Sequence, residues 1–280
     1  MHTHRLHNRA AFAAGRVAQG LRALPEEVAV ALSYNGTTQA VMMATPDALD
    51  DFAYGFSLTE GIARPEEIDS ITAQETARGI DLQIWLKPDA EARLTRRRRT
   101  MTGPVGCGLC GLDSLEEATR EAGPVPPSDL SLTPEQIMQA IAGLTAWQPL
   151  HDTTHAVHAA GFWTPAQGII AAREDVGRHN ALDKLVGALL RPAPGGPVDP
   201  SGGAVVLTSR VSIDMVQKVA ALGAPALIAV SAPTTTAVAM AEGAGITLIA
   251  LARPDRFEVF THPFRIAPPG AAPQESKDVA

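Results

Sequence analysis

Two cysteines are all that this sequence of 280 residues contains, and no stretch of it reaches the ~18 consecutive apolar residues that a membrane helix needs. Its polar start, Met1 to Arg9, lacks the hydrophobic region of a secretory signal. Neither GxxxxGKS/T nor GxGxxG occurs, so ATP hydrolysis and a Rossmann dinucleotide site are both poorly supported. No histidine lies between His7 and His151, which removes the His-x-Glu that a zinc deaminase places upstream of Pro-Cys-x-x-Cys. A second CxxC, which a four-ligand structural zinc site would use, is missing too, and no metal is expected. The net charge of −7 argues against a general nucleic-acid binder. A cytosolic protein with free thiols, bound to neither membrane nor nucleic acid, is the expectation.

What is present is concentrated. Cys107 and Cys110 stand in Gly106-Cys107-Gly108-Leu109-Cys110-Gly111, where flanking glycines leave the sulfurs little steric cover. As thiolates they would attack electrophilic sulfur, carry a persulfide, close a disulfide or bind a soft metal. Ser114 and Glu117 read as a capping box opening a helix just beyond, whose positive end would lower a thiol pKa. Buried packing, half a zinc site and a thioredoxin-like dithiol compete with a reactive or sulfur-carrying cysteine, which is the best reading. The block Arg96-Arg97-Arg98-Arg99 lies shortly upstream. It reads either as a solvated surface strand or loop, or as a positive field that favours thiolate and attracts an acidic partner or phosphorylated ligand.

Periodicity divides the chain. Val28 to Met43 alternates as two strands about Asn35-Gly36, Asp47 to Ile62 has helical spacing, and Ile80 to Leu86 alternates again. Gly123 to Ser128 marks a boundary, and Thr133, Pro134 and Gln136 open a helix. From about Val157 short apolar runs alternate with helices: Gly168–Ala172, Ala204–Leu207, Ala226–Val230 and Ile246–Leu251. That pattern predicts parallel strands covered on both faces, with ligands beyond their carboxyl ends. The ends read Arg173-Glu174-Asp175, Thr208-Ser209-Arg210, Ser231-Ala232-Pro233-Thr234 and Ala252-Arg253-Pro254-Asp255-Arg256. Hydroxyls and arginines beside helix N-termini suit a phosphate, although ordinary capping explains any one loop. His151, His155 and His158 cluster in sequence, and a metal site there would need partners that the sequence does not reveal.

Taken together, these residues resemble the FdhD/NarQ family over roughly Pro25 to Arg265. The pieces are Pro25-Glu26-Glu27, Gly55-Phe56, Leu58-Thr59-Glu60-Gly61, Cys107-Gly108-Leu109-Cys110-Gly111, His158-Ala159-Ala160, the unbroken string from Glu174 through Asp175-Val176-Gly177-Arg178-His179-Asn180-Ala181-Leu182-Asp183 to Lys184, Ser231-Ala232-Pro233-Thr234 and Phe260-Thr261. The resemblance implies a sulfur carrier, sulfurtransferase-like, with a cysteine persulfide intermediate. It would accept sulfur from a cysteine desulfurase and deliver it to the molybdenum of bis(molybdopterin guanine dinucleotide), activating formate dehydrogenase. Cys107 would hold the persulfide and Cys110 would assist transfer or release. The stretch Leu251, Ala252, Arg253, Pro254, Asp255, Arg256 would bind the guanine nucleotide of that client cofactor, together with Ser209, Arg210 and Ser231 from the anion loops; no cofactor would be permanently bound. Departures from the family pattern are Thr154-His155-Ala156, Val105 and Gly106 before the first cysteine, Ser209-Arg210-Val211-Ser212 without an intervening glycine, and Asp214 in place of glutamate.

The expected fold class is α/β: a mixed α+β N-terminal part and, by the resemblance, a C-terminal three-layer α/β/α domain of the cytidine-deaminase kind. The expected domains are a flexible start over 1–24, a mixed α+β domain carrying the CxxC loop over 25–123, a cofactor-binding domain over 129–266 and a disordered tail over 267–280. A homodimer is expected, because handing over a large cofactor favours a broad docking surface. Two rivals to the carrier are a thiol-disulfide oxidoreductase using the CxxC pair and a nucleotide-binding regulatory module without covalent chemistry.

Overall fold

A computed structural model describes residues 2–101, 120–192 and 196–268. Within these are seven helices: α1 (Leu49–Thr59), α2 (Pro88–Met101), α3 (Pro134–Thr145), α4 (Pro149–Thr154), α5 (Arg178–Leu190), α6 (Ile213–Leu222) and α7 (Thr235–Ala244). Twelve strands accompany them: β1 (His4–Ala13), β2 (Arg16–Pro25), β3 (Val28–Tyr34), β4 (Thr37–Ala44), β5 (Ile68–Thr76), β6 (Gly79–Leu86), β7 (His158–Thr164), β8 (Gly168–Asp175), β9 (Ala204–Leu207), β10 (Ala226–Ala229), β11 (Thr247–Arg253) and β12 (Arg256–Val259). No helix among the described residues is long and apolar enough to cross a membrane. Two units emerge: the first takes the described parts of Met1–Thr100, Trp147–Ala160 and Arg173–Pro197, the second those of Met101–Ala146, Gly161–Ala172 and Val198–Ala280.

In the first unit, β3 and β4 turn through Asn35 and Gly36, both at positive φ (48° and 77°), as a two-residue hairpin requires. The sheet runs β4-β3-β6-β5, with β3 parallel to β6. Alternation sends Val30, Leu32, Leu82 and Ile84 to one face, where Phe52, Ala53 and Phe56 of α1 cover them. Strand β5 carries no comparable signal, because only Ile68 and Ile71 along it join that core. The arginine block Arg96–Arg99 lies on α2, not on a surface strand or loop. Proline at the first helical position, acids Asp89 and Glu91 in the first turn and arginine's good propensity all favour the helix.

Residues 4–25 are not a flexible start: β1 and β2 form an antiparallel hairpin of ten register pairs. The turn, Ala14-Gly15, takes positive φ at both residues (48° and 74°). Alanine is an unfavourable left-handed residue, so the sequence lacked the Asn-Gly or Asp-Gly mark that identifies β3-β4. Of the expected disordered tail, residues 269–280 lie outside the described residues, while the Ala267 amide donates to Leu132 O (2.9 Å).

Helices α1 and α5 meet backbone to backbone. A Cβ added at Gly55 would stand 1.7 Å from Asp183 O, and one at Gly187 would stand 1.8 Å from Asp51 O. Neither helix can move apart locally without opening the buried contacts around it. Gly187→Ala is therefore expected to cost about 3 kcal/mol or more, read as a lowered urea midpoint at unchanged slope.

The second unit is built on the order β12-β11-β10-β9-β7-β8, to which β7 and β8 contribute Gly161–Thr164 and Gly168–Ala172. Strands β9, β10 and β11 are parallel, and β12 returns antiparallel. Every residue of β9 and β10 is buried, so both sheet faces are covered. The crossover helices α6 and α7 pack on one another, and α3 packs against β9, β10 and β11. Helix α3 begins with a reciprocal cap: Thr133 Oγ1 accepts from the Gln136 amide, and Gln136 Oε1 accepts from the Thr133 amide.

Candidate functional site

The carboxyl ends of β9, β10 and β11 in the second unit open into three loops that hydrogen bonds fasten together. Thr234 N donates to Val211 O (2.9 Å) and Val211 N to Ala232 O (3.3 Å), forming a bridge from the loop after β9 to the loop after β10. Leu251 N donates to Ser231 O (3.4 Å), and Arg253 Nη1 donates to Val230 O (2.5 Å) and Ala252 O (2.9 Å). All the residues assigned from sequence to nucleotide binding therefore gather on one edge. Ser209 is buried and its Oγ donates to Arg210 O (3.2 Å); Ser231, Leu251 and Arg253 are half-buried; Ala252 is buried. Arg210, Pro254, Asp255 and Arg256 are exposed. The Asp255–Arg256 pair, at 3.8 Å and open to solvent, contributes little to stability.

Two local features of this edge have no packing explanation. Leu251 sits at φ 51°, a left-handed conformation that a side chain without local hydrogen bonds rarely adopts, and the β11–β12 register shifts between Ala250 and Arg253. Strained backbone and bulges collect where a ligand is held. The second feature is at the start of α6, where the N-cap residue Ser212 makes no side-chain cap and its buried Oγ has no hydrogen-bond partner among the described residues. By contrast, Thr234 caps α7 by accepting from Ala237 N (3.2 Å). An unused hydroxyl beside helix amide groups, with Arg210 nearby in sequence, fits a phosphate oxygen; Asp214, in the same first turn, contributes the opposing charge. Neither feature was legible in the sequence, because Leu251 and Ser212 are ordinary residues whose surroundings make them unusual.

Cys107 and Cys110 lie outside the described residues, as do Ser114 and Glu117 of the capping box. The described chain resumes at Arg120, whose carbonyl accepts from Gln217 Nε2 of α6 (2.7 Å), and Ala122 N donates to Met240 Sδ of α7 (3.2 Å). The return from the cysteine segment is thus fixed to the two helices that begin at the edge loops.

The string from Glu174 to Lys184 builds the interior of the first unit. Asp175 is fully buried and accepts from four donors: Thr45 N (3.0 Å), Gly177 N (2.8 Å), Asn180 Nδ2 (3.0 Å) and Lys184 Nζ (2.6 Å). Lys184, also fully buried, donates to Thr45 O (2.8 Å) as well. Burial pulls the Lys184 ammonium below the usual lysine range, and Asp175 opposes that fall. Asp183 accepts from Thr59 Oγ1 (2.7 Å), and Asp51 pairs with Arg173 (2.6 Å) and Arg191 (3.0 Å). Glu174 caps α4, accepting from Leu150 N and His151 N (2.8 Å each); burial still lifts its carboxyl above the usual range. Arg173, Glu174 and Asp175, read from sequence as a fourth anion loop, are instead engaged in these internal contacts.

The histidines gather in the same unit. His151 and His155 meet edge to face with ring centroids 5.3 Å apart. His158 is half-buried, and burial foremost, then Arg178 and His179, holds it below the ordinary histidine range against the pull of Asp175. Among the described residues no three His, Cys, Asp or Glu side chains gather as a metal ion would need.

Similarity to known proteins runs through both units. The FdhD/NarQ family pattern matches residues 25–267. A sulfur carrier protein FdhD of Agrobacterium fabrum is 51% identical over 92% of this chain and 94% of its own length. One of Bordetella bronchiseptica is 46% identical over 86% of each. The crystal structure of a protein assigned as a formate dehydrogenase accessory protein, from Desulfotalea psychrophila, superposes with a TM-score of 0.73 at 26% identity, covering 95% of this chain and 100% of that one. A match of this length, which takes in the cysteine loop, the buried clasp from Glu174 to Lys184 and the three-loop edge alike, places the chain in the FdhD/NarQ family.

Proposed function

We propose that this chain is a cytoplasmic sulfur carrier that takes persulfide sulfur from a cysteine desulfurase and passes it to the molybdenum of bis(molybdopterin guanine dinucleotide), a step needed for formate dehydrogenase activity. The observation that carries the reading is 51% identity over nearly the full length to a protein named as a sulfur carrier. The loop edge of the second unit supports it. A large cofactor bearing nucleotide phosphates is the cargo here, and Arg210, Arg253, Arg256, Ser209, Ser231 and the bent Leu251 backbone offer donors suited to it.

The chemistry follows from the thiols. The Cys107 thiolate attacks the outer sulfur of the donor's persulfide; that S–S bond breaks, the desulfurase thiolate leaves, and Cys107 carries the added sulfur. Attack of the Cys110 thiolate on the Cys107 Sγ then expels the outer sulfur as sulfide, which takes both bonding electrons as a soft ligand for molybdenum. A Cys107–Cys110 disulfide remains, and a thiol reductant reopens it. Glycine flanks Cys107 on both sides and follows Cys110, so neighbouring side chains add little bulk beside the two thiols.

The reading is tested by intact-protein mass spectrometry of the reduced protein after incubation with a cysteine desulfurase and cysteine. Added sulfur is expected; a protein that gains none and closes only a disulfide would point to thiol-disulfide exchange. The edge is tested separately. Arg210→Ala is expected to weaken binding of guanosine diphosphate about 10-fold in calorimetry, the loss of one charge-assisted hydrogen bond, with sulfur loading unchanged.

A further inference from the structure

The first unit contains nitrogen donors that its own carboxylates do not satisfy. Arg178 opens α5, His158 opens β7 and His151 lies on α4, and all three are half-buried. They stand close enough that Arg178, His179 and His151 each act on the charge of His158. The buried Arg178 Nε and the buried His151 Nδ1 have no hydrogen-bond partner among the described residues. Leaving a buried polar group unmatched costs about 1–3 kcal/mol, so each of the two calls for an arriving acceptor.

The acids nearby are committed elsewhere. Asp175 is held by Lys184 Nζ (2.6 Å) and by its amide donors, and Glu174 accepts from the Leu150 and His151 amides. Asp152 is exposed. The positive end of α5 adds to the field, and its N-cap residue, Gly177, makes no side-chain cap. A Cβ at Gly177 would meet Asn180 Nδ2 at 2.8 Å, so a capping side chain there would collide with the interior. His155, held left-handed at φ 54°, sets its ring edge to face against His151 and so orients that imidazole. Burial, then Arg178 and His179, keep His158 below the ordinary histidine range, as expected where positive charge exceeds negative.

We infer that Arg178, His151 and His158 form an anion site within the first unit that takes a phosphate group, free or as part of a phosphate ester. Donors from α5, α4 and β7 suit a tetrahedral group whose oxygens point in several directions, whereas a carboxylate offers two oxygens in one plane. Arginine and imidazole N–H groups bond most strongly to a charged oxygen, and the phosphate would supply the acceptors that Arg178 Nε and His151 Nδ1 lack. The inference rests neither on the loop edge of the second unit nor on the sulfur chemistry. It gives the start of α5 a role that the internal contacts of Asp175, Asp183 and Lys184 leave unexplained.

Titration of the full chain with inorganic phosphate, followed through the histidine ring resonances by NMR, tests it. The His151 and His158 resonances are expected to move with saturation. Arg178→Gln should weaken phosphate binding about 10-fold or more and His158→Asn about 5-fold, with unchanged circular dichroism. His158→Asn carries the test alone if Arg178→Gln misfolds. Repeating the titration with saturating guanosine diphosphate identifies the source: if the nucleotide already occupies the site and Arg178→Gln weakens it, the group belongs to a nucleotide cofactor. If phosphate still binds, the ligand is free phosphate or another ester, and either result upholds the site. No movement of the His151 and His158 resonances, equal binding by native and variant chains, or displacement of phosphate by equimolar acetate would overturn it. Phosphate binding that is lost in Arg210→Ala but kept in Arg178→Gln would also overturn it, leaving the second unit's edge as the phosphate site.

Discussion

Cys107→Ala is expected to reduce sulfur loading to background, and with it the activation of formate dehydrogenase, because in the proposed cycle Cys107 is the thiol that accepts the donor's sulfur and Cys110 serves in its release. Cys110→Ala is expected to load sulfur from the desulfurase but to fail in release, accumulating the loaded form. The asymmetry separates the carrier from its nearest rival. A thiol-disulfide oxidoreductase needs both sulfurs in every cycle, so either substitution would abolish insulin reduction about equally, and neither variant would accumulate sulfur. A regulatory nucleotide-binding module would tolerate both. Mass spectrometry of the two variants beside the native chain, with client activation measured in parallel, distinguishes the three outcomes. Persistent client activation by Cys107→Ala would count decisively against the carrier.

The second large effect is expected in the fold itself. Lys184→Met should lower the unfolding free energy by about 3–5 kcal/mol, since it leaves Asp175 buried without the cation that balances it. The companion Asp175→Asn strands Lys184 in the same way. Joining the two changes should recover part of the loss, because neither charge then remains uncompensated and methionine fills the space of the lysine stem. A double variant as unstable as the sum of the singles would mean that Asp175 acts mainly through the Thr45, Gly177 and Asn180 donors. Urea unfolding of the four proteins at neutral pH measures the coupling directly. The guanosine diphosphate binding proposed for the edge of the second unit offers an independent readout on whichever variants remain folded.

Much of the secondary structure was legible in the residues. Asn35-Gly36 announced its hairpin, Leu49 to Phe56 its helix, Thr133 to Gln136 a capping box, and the runs at Ala204, Ala226 and Ile246 a parallel sheet covered on both sides. The β1-β2 hairpin was missed because Ala14-Gly15 is a poor turn signal and because both its faces are exposed, so no burial pattern marks it. The string from Glu174 to Lys184 stood out as a motif, yet a motif does not say whether its charges meet a ligand or one another. Here Asp175 and Lys184 meet each other and Thr45, and Asp183 meets Thr59.

By itself, then, the sequence determined the strands and helices whose periodicity is strong and the FdhD/NarQ resemblance, and it put the paired thiols forward as the candidate seat of the chemistry. Each of these depends on residues close together along the chain. Only the tertiary structure decided that the loops after β9, β10 and β11 share one edge, that Leu251 is held left-handed there, that Ser212 leaves its hydroxyl unused, and that residues 173–184 belong to the interior of the first unit. Those outcomes rest on hydrogen bonds and ion pairs between residues tens to more than a hundred positions apart, such as Thr45 with Asp175. Local propensity carries no information about such partners, and burial gives them their energetic weight.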